Sequence, residues 1–190
     1  MRLDIRLAGM PDLEVIACLH SESWRATYRG LVADFLLDQD LLGNRRALWR
    51  TRLADPSAER FTWLAWVDGQ PVAFSSLLLD ADPLHGSLID ALHVQGGFKG
   101  RGIGRALSLM LARKAQELRA HQPLHLWVLD GNWRAARFYE RLGAIHLGMR
   151  YDDHLPGAES HDHRYGWPSP RHLIDLLQIG DQHGATQVTA

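Results

Sequence analysis

Three glycines stand in five positions at Gly100, Gly102 and Gly104, flanked and interleaved by Lys99, Arg101 and Arg105. Glycine loses more backbone freedom on folding than any other residue, so such a cluster is costly unless the chain needs it. It is useful where main-chain N–H groups must converge on a ligand. A strand-like run, Leu88 to Val94, precedes the loop, and the most regular helical pattern of the chain, Arg105 to about Arg119, follows it. A loop that opens a helix presents unpaired N–H groups and the positive end of the helix dipole, which together favour an anion. A phosphate or pyrophosphate is therefore the expected ligand, and three basic side chains add charge at the same place. The dinucleotide spacing G-x-G-x-x-G fails, because the sixth position from Gly100 is Arg105, and the G-x-x-x-x-G-K-[ST] loop is absent. A flexible loop that is merely rich in glycine is the alternative.

A second cluster, Asp152, Asp153, His154, His161, Asp162 and His163, follows no metal-ligand spacing. It is expected to be a polar surface or acceptor-binding loop, and no metal is expected. The single cysteine, Cys18, excludes an internal disulfide and a thiolate zinc site. Lys plus Arg (21) and Asp plus Glu (22) leave a net charge of -1, so no global field holds nucleic acid or an anionic membrane. No apolar run has the length of a signal peptide or a membrane span, and the cytoplasm is the default location.

The elements that must position these residues can be read from periodicity. Leu3 to Leu7 alternates as a half-buried strand, and Met10-Pro11-Asp12 opens a helix reaching about Trp24. A helix over Asn44 to Leu53 carries Arg45, Arg46, Arg50 and Arg52 and is expected to be a solvated surface helix. Phe61 to Val67 and Val72 to Leu79 are strands joined by an Asp68-Gly69 turn. After the long helix, Pro123 to Leu129 is a strand. Asn132 is a good N-cap for a helix over Trp133 to Leu142, which Gly143 stops. Ile145 to Tyr151 and His163 to Trp167 are the last strands; a short helix over Arg171 to Ile179 and a loose tail over 180–190 follow. Hairpin-linked strands combined with a strand–helix–strand crossover imply an α/β (α+β) domain over 1–167, with a mixed sheet and helices on its faces, and a C-terminal extension over 168–190.

Two segments resemble the GNAT superfamily of N-acetyltransferases. Leu92-His93-Val94 followed by Phe98-Lys99-Gly100-Arg101-Gly102-Ile103-Gly104-Arg105 looks like its acyl-CoA loop, [QR]-x-x-G-x-[GA]; Gly102 and Gly104 fit, and Lys99 replaces the usual Gln or Arg. Asn132, Ala135, Phe138-Tyr139 and Gly143 are similar to its N-x-x-A-x-x-F-Y-x-x-x-G. A weaker likeness covers Ser23 to Leu31, so the resemblance runs from about Leu3 to Trp167. It implies a mostly antiparallel sheet of about six to seven strands with about four helices. It also implies acetyl-CoA as co-substrate, its pyrophosphate on the amides of 99–105 and its pantetheine arm on Leu92, His93, Val94 and Asn132. A backbone N–H of the same stretch would polarise the thioester carbonyl. Tyr139 would protonate the departing thiolate; a phenol with a reference pKa of ~10 keeps its proton at neutral pH. Trp24 and Tyr28 fall where the family shapes its acceptor cleft. The carboxylate that family members often place on the strand is missing at Leu88. Asp90, two residues on and on the same strand face, is the candidate general base, with Glu22, His93, the later histidines or a water wire as alternatives. The acceptor would be a small-molecule or peptide amine, and a homodimer is a family-level expectation. A non-catalytic acyl-CoA-binding module and a nucleotide binder are the rival functions.

Overall fold

The structure is a computed structural model and describes residues 1–55, 59–152 and 160–184. Its order is β1 (Leu3–Leu7), α1 (Leu13–Tyr28), α2 (Asp34–Asp38), α3 (Leu41–Ala54), β2 (Arg60–Val67), β3 (Gln70–Asp82) and β4 (Gly86–Val94). Then follow α4 (Ile103–Arg119), β5 (Leu124–Leu129), α5 (Trp133–Arg141), β6 (Ile145–Asp152), β7 (Ser160–Trp167) and α6 (Pro170–Gly184). The strands form one sheet in the order β1-β2-β3-β4-β5-β7-β6. Every neighbouring pair is antiparallel except β4 and β5, which are joined by the α4 crossover. The mixed sheet and its helical faces are as the strand and helix signals predict. Among the described residues no helix is long and apolar enough to cross a membrane.

Each face of the sheet has its own apolar layer. On one side Leu107, Leu111 and Ala115 of α4 and Leu173, Ile174 and Leu177 of α6 pack on Ile89, Leu124, Leu126, Val128 and Trp167. On the other, Leu13, Ile16 and Ala17 of α1 and Trp49 of α3 cover Leu64, Phe74 and Ala91. α6 runs past the expected end at Ile179 to Gly184. Its Leu173 and Leu177 are fully buried, which ties the C-terminal segment to α4. Asp153 and His154 of the polar loop and residues 185–190 of the expected tail lie outside the described residues.

The β4–β5 pair decides where a site can form. Its register holds only Ser87 opposite Leu124 and Leu88 opposite His125. A side chain at Gly86, where φ is +70°, would place its Cβ 2.3 Å from the Pro123 carbonyl oxygen, so glycine permits this close start. Beyond Leu88 and His125 the two strands separate, and among the described residues no strand pairs with the β5-facing edge of β4 from Ile89 to Val94.

Candidate active site

The gap between the separating strands is a cleft of about 900 Å³. One wall is β4 from Ile89 to Val94; the other is Trp127 and Val128 of β5 with Asn132, Phe138 and Tyr139 of the α5 segment. The glycine loop closes one end, and Ala26 to Tyr28 of α1 overhang it. Of the residues expected from the sequence, Tyr139, Asp90, Leu92, His93, Val94, Lys99, Gly100, Gly102, Gly104, Arg105, Asn132 and Tyr28 all line this one space.

The loop owes its form to backbone conformation. Gly100 and Gly102 have φ of +80° and +81°, and Gly102 is the N-cap of α4 in the left-handed region. The first ladder bond of the helix is Ala106 N–H to the Gly102 carbonyl, 2.9 Å, so the amides before it emerge from the helix end towards the loop. A Cβ at Gly102 would meet no atom within 4 Å. Gly102→Ala is therefore expected to cost about 1–2 kcal/mol through conformation alone. Thermal unfolding measures that cost; a variant as stable as the parent would show that the left-handed conformation is dispensable. Gly104 has a different reason: a Cβ there would lie 3.2 Å from the Phe138 ring, so its absence lets α4 approach α5.

The basic residues of the loop separate in the folded chain. Burial, and then Arg134, push the Lys99 ammonium below its usual value. Arg101 lays its guanidinium over the Phe98 ring at 5.1 Å and is not in the cleft wall. Ile103 is in the core, 1% exposed. Arg105 donates to the Leu177 carbonyl of α6, so its guanidinium is anchored to the C-terminal helix.

Asn132 caps α5, its side-chain oxygen accepting from Ala135 N–H at 3.3 Å. Burial, and then Asp162, push Tyr28 up to about 12. Tyr139 is 8% exposed, its ring 5.0 Å from Phe138 and 6.3 Å from Trp167. Burial, reinforced by Tyr28, raises its phenol well above the ordinary value. Trp24 is absent from the cleft wall. One helical turn before Tyr28, it packs between His20 (5.9 Å) and Tyr28 (4.9 Å) under the Arg45 guanidinium (4.2 Å).

Asp90 occupies a bulge. Ser76 pairs with Ala91 and Leu77 with Ile89, so one β4 residue is left over. Its carboxylate meets Arg60 at 2.6 Å and Arg52 at 2.9 Å, and Arg52 also donates to the other oxygen at 3.3 Å. Both oxygens thus already accept from guanidinium groups, a structural occupation in place of the expected free base. The arginines of α3 are accordingly not all solvated: Arg52 turns inward to Asp90, Arg45 stacks on Trp24, and Trp49 between them is fully buried.

His93 lies on the same side of β4 as Asp90. Its Nδ1 is 2.8 Å from Ser23 Oγ, and its ring is 4.9 Å from His20, whose Nδ1 accepts from the buried Trp49 indole at 2.9 Å. Burial, then the charges of Lys99 and Arg45, lower His93 to about 4, so it is neutral at pH 7. Ser23 and Trp127, both in the cleft wall, were not among the expected site residues. Ser23 enters the sequence reading only as the start of the weaker likeness over Ser23 to Leu31. Trp127 is held between Arg150 (4.1 Å) and Arg164 (4.3 Å). In the polar segment, Asp162 pairs with Arg150 at 2.9 Å and His163 with Asp130 at 3.3 Å. Among the described residues no group of histidines and acids is arranged to hold a metal ion.

A splayed parallel strand pair, a left-handed glycine cap and a buried tyrosine thus border one cleft. The family model for the acetyltransferase (GNAT) family matches residues 21–144, and the chain belongs to that family. It is 29% identical over 140 residues to a protein of Mycobacterium tuberculosis named "probable N-acetyltransferase", covering 72% of this chain and 76% of that one. Its fold is shared with the PaiA N-acetyltransferase of Thermoplasma acidophilum in complex with coenzyme A, at a TM-score of 0.65 and 17% identity, over 88% of this chain and 100% of that one. YjaB of Escherichia coli is similar too, at a TM-score of 0.61 and 24% identity, over 88% and 98% of the two chains.

Proposed function

We propose that the protein moves an acetyl group from acetyl-CoA to a primary amine by direct attack within a ternary complex. The observation that carries this reading is the convergence of the free β4 edge, the loop amides and Tyr139 on one cleft. The loop of 99–104 and the start of α4 are suited to the pyrophosphate, and the edge of Leu92 to Val94 to the pantetheine arm. An amide of that edge aimed at the thioester oxygen would stabilise the developing oxyanion, as preorganised donors do elsewhere by roughly 3–4 kcal/mol. As the C–N bond forms and the C–S bond breaks, the Tyr139 hydroxyl gives its proton to the sulfur, and the proton shed by the amine nitrogen passes to solvent, from which the phenol is restored. Its raised pKa keeps the hydroxyl protonated at neutral pH. The test is free-thiol release from acetyl-CoA with a panel of primary amines, beside calorimetry with coenzyme A, ATP and NAD. Preference for a nucleotide over coenzyme A rejects this reading.

The double ion pair of Asp90 favours one rival, an acyl-CoA-binding module without turnover. Coenzyme A binding with no thiol release from any amine would select it. In the catalytic reading the amine enters already neutral, because Asp90 is occupied and His93 is a weak base. Log kcat/KM is therefore expected to rise with unit slope from about pH 6 up to the acceptor's own pKa. His93, with its pKa lowered to about 4, is already deprotonated there and adds no limb of its own. A plateau across the neutral range that vanishes in His93→Gln would instead make His93 the base.

A further inference from the structure

The charges in the wall of the cleft are not spread evenly. Its cations, Lys99, Arg105, Arg134 and Arg141, come from the glycine loop, the start of α4 and α5. Its one acid among the described residues, Asp90, is held by Arg52 and Arg60. The α1 side instead presents Ser23, Thr27 and Tyr28, on one stripe of the helix, with His93 of β4 beside them. Burial raises the Tyr28 phenol and lowers the His93 imidazole, so both are neutral at pH 7. An amine at this end meets hydroxyl groups and a neutral ring, not a free carboxylate.

Ser23 is placed to meet that amine. It stands in the wall of the cleft and also in that of a smaller adjoining cavity of about 300 Å³, which Glu22, Ala26 and the segment Val94 to Lys99 complete. Glu22 there accepts from Gln95 Nε2 at 3.0 Å. Among the described residues Ser23 Oγ has one hydrogen-bond partner, His93 Nδ1 at 2.8 Å. His93 belongs to Leu92 to Val94, the free edge suited to the pantetheine arm, so this hydroxyl lies beside the stretch where the thioester would sit. A hydroxyl has one proton and two lone pairs. When neutral His93 carries its proton on Nε2, Nδ1 takes the Ser23 proton, and both lone pairs of Oγ are left for a donor in the cleft. The His93 ring is itself held in place. It stacks on Phe74 at 5.1 Å and lies 4.9 Å from His20, which the buried Trp49 indole fixes by its 2.9 Å hydrogen bond.

We propose that Ser23 Oγ holds the acceptor by accepting a hydrogen bond from one N–H of the amine, with His93 as the positioning residue that directs the hydroxyl. The inference rests on the acetyl-transfer reading above and adds to it the residue that orients the nucleophile. A neutral primary amine has two N–H groups and one lone pair. With one N–H on Ser23, the lone pair stays free to turn towards the thioester carbon, a gain in orientation rather than in basicity. Ser23 takes no proton in this step; the one shed by the nitrogen still leaves to solvent.

The experiment measures kcat/KM for whichever amine of the panel is turned over fastest, beside coenzyme A affinity by calorimetry. The wild-type protein, Ser23→Ala, Ser23→Thr, His93→Gln, His93→Leu and the double variant Ser23→Ala/His93→Leu are compared, with circular dichroism to verify folding. In Ser23→Ala, kcat/KM is expected to fall on the order of 10-fold, the worth of one hydrogen bond in a site shielded from water, while coenzyme A affinity stays unchanged. Ser23→Thr keeps the hydroxyl and most of the rate. His93→Leu is expected to reproduce the Ser23→Ala loss, and His93→Gln, whose amide oxygen can accept from the hydroxyl, to lose less. The double variant should lose no more than either single one, because both act through one contact. Equal kcat/KM in Ser23→Ala and the wild type overturns the inference. So does a loss matched in coenzyme A affinity, which would make Ser23 only a tie between α1 and β4, and so does full addition of the two losses in the double variant. If Ser23→Ala does not fold, His93→Leu against His93→Gln still decides it. Thiol release with Ser23→Ala unimpaired rejects only this inference. No release from any amine by the wild-type protein rejects the transfer reading and this inference with it.

Discussion

Tyr139→Phe is expected to lower kcat by about two to three orders of magnitude, within the range by which positioned general acids contribute. Coenzyme A affinity and thermal stability should stay near those of the parent. The argument is one of isolation: only an oxygen is removed. The ring keeps its contacts with Phe138 and Trp167, and Ala136 and Leu142 on the same side of α5 remain buried. A phenol whose pKa is raised by burial is a hydrogen-bond donor through the whole neutral range. In the proposed transfer it neutralises charge on the departing sulfur, a transition-state effect that appears in kcat. Stopped-assay turnover beside calorimetry with coenzyme A separates the two quantities. A loss of less than fivefold, or a parallel loss of cofactor affinity, would remove Tyr139 from the role of acid and leave it a wall residue.

The second large effect is on stability. Asp90→Asn leaves two guanidiniums, Arg52 and Arg60, with side chains only 20% and 12% exposed and without their common carboxylate. Breaking a buried charge pair from one side typically costs ~3–5 kcal/mol. Partial solvent access here reduces the expectation to about 2–3 kcal/mol. For a chain of this size that is a fall in Tm of roughly 5–10 °C. The unit slope of log kcat/KM against pH should survive in the folded fraction. A stable Asp90→Asn protein whose pH slope has flattened would reverse the assignment and restore Asp90 as the base. A fall in Tm with the slope retained fits the bulged carboxylate as the clasp between α3, β2 and β4.

The two predictions differ in how far the sequence foretold them. The Tyr139 prediction needed only a motif and a helix: Asn132 and Gly143 bracket α5 by local rules of capping, and Phe138-Tyr139 follow at a fixed distance. The Asp90 prediction needed the bulge. Alternation along a strand places Asp90 on the face of Leu88, and that much is correct, but alternation says nothing of Arg52 and Arg60, 38 and 30 residues away in the chain. Trp24 shows the same limit. Its spacing from Tyr28 puts both on one side of α1, yet only Tyr28 reaches the cleft, because Trp24 is covered by Arg45 of another helix.

The sequence by itself determined whatever depends on a residue and its near neighbours: the left-handed turns at Gly100 and Gly102, the Asn132 cap, the hairpin at Asp68-Gly69, and the order of strands and helices that implies a mixed sheet. Backbone conformation and capping are local energies, so a short window of residues contains them. Only the tertiary structure decided that β4 and β5 part after two residue pairs, that the α3 arginines turn inward, and that Asp90 has partners. Periodicity specifies which residues share a face, but the element that covers that face is chosen by packing across the whole chain. Whether a charge there is solvated or paired follows from that choice.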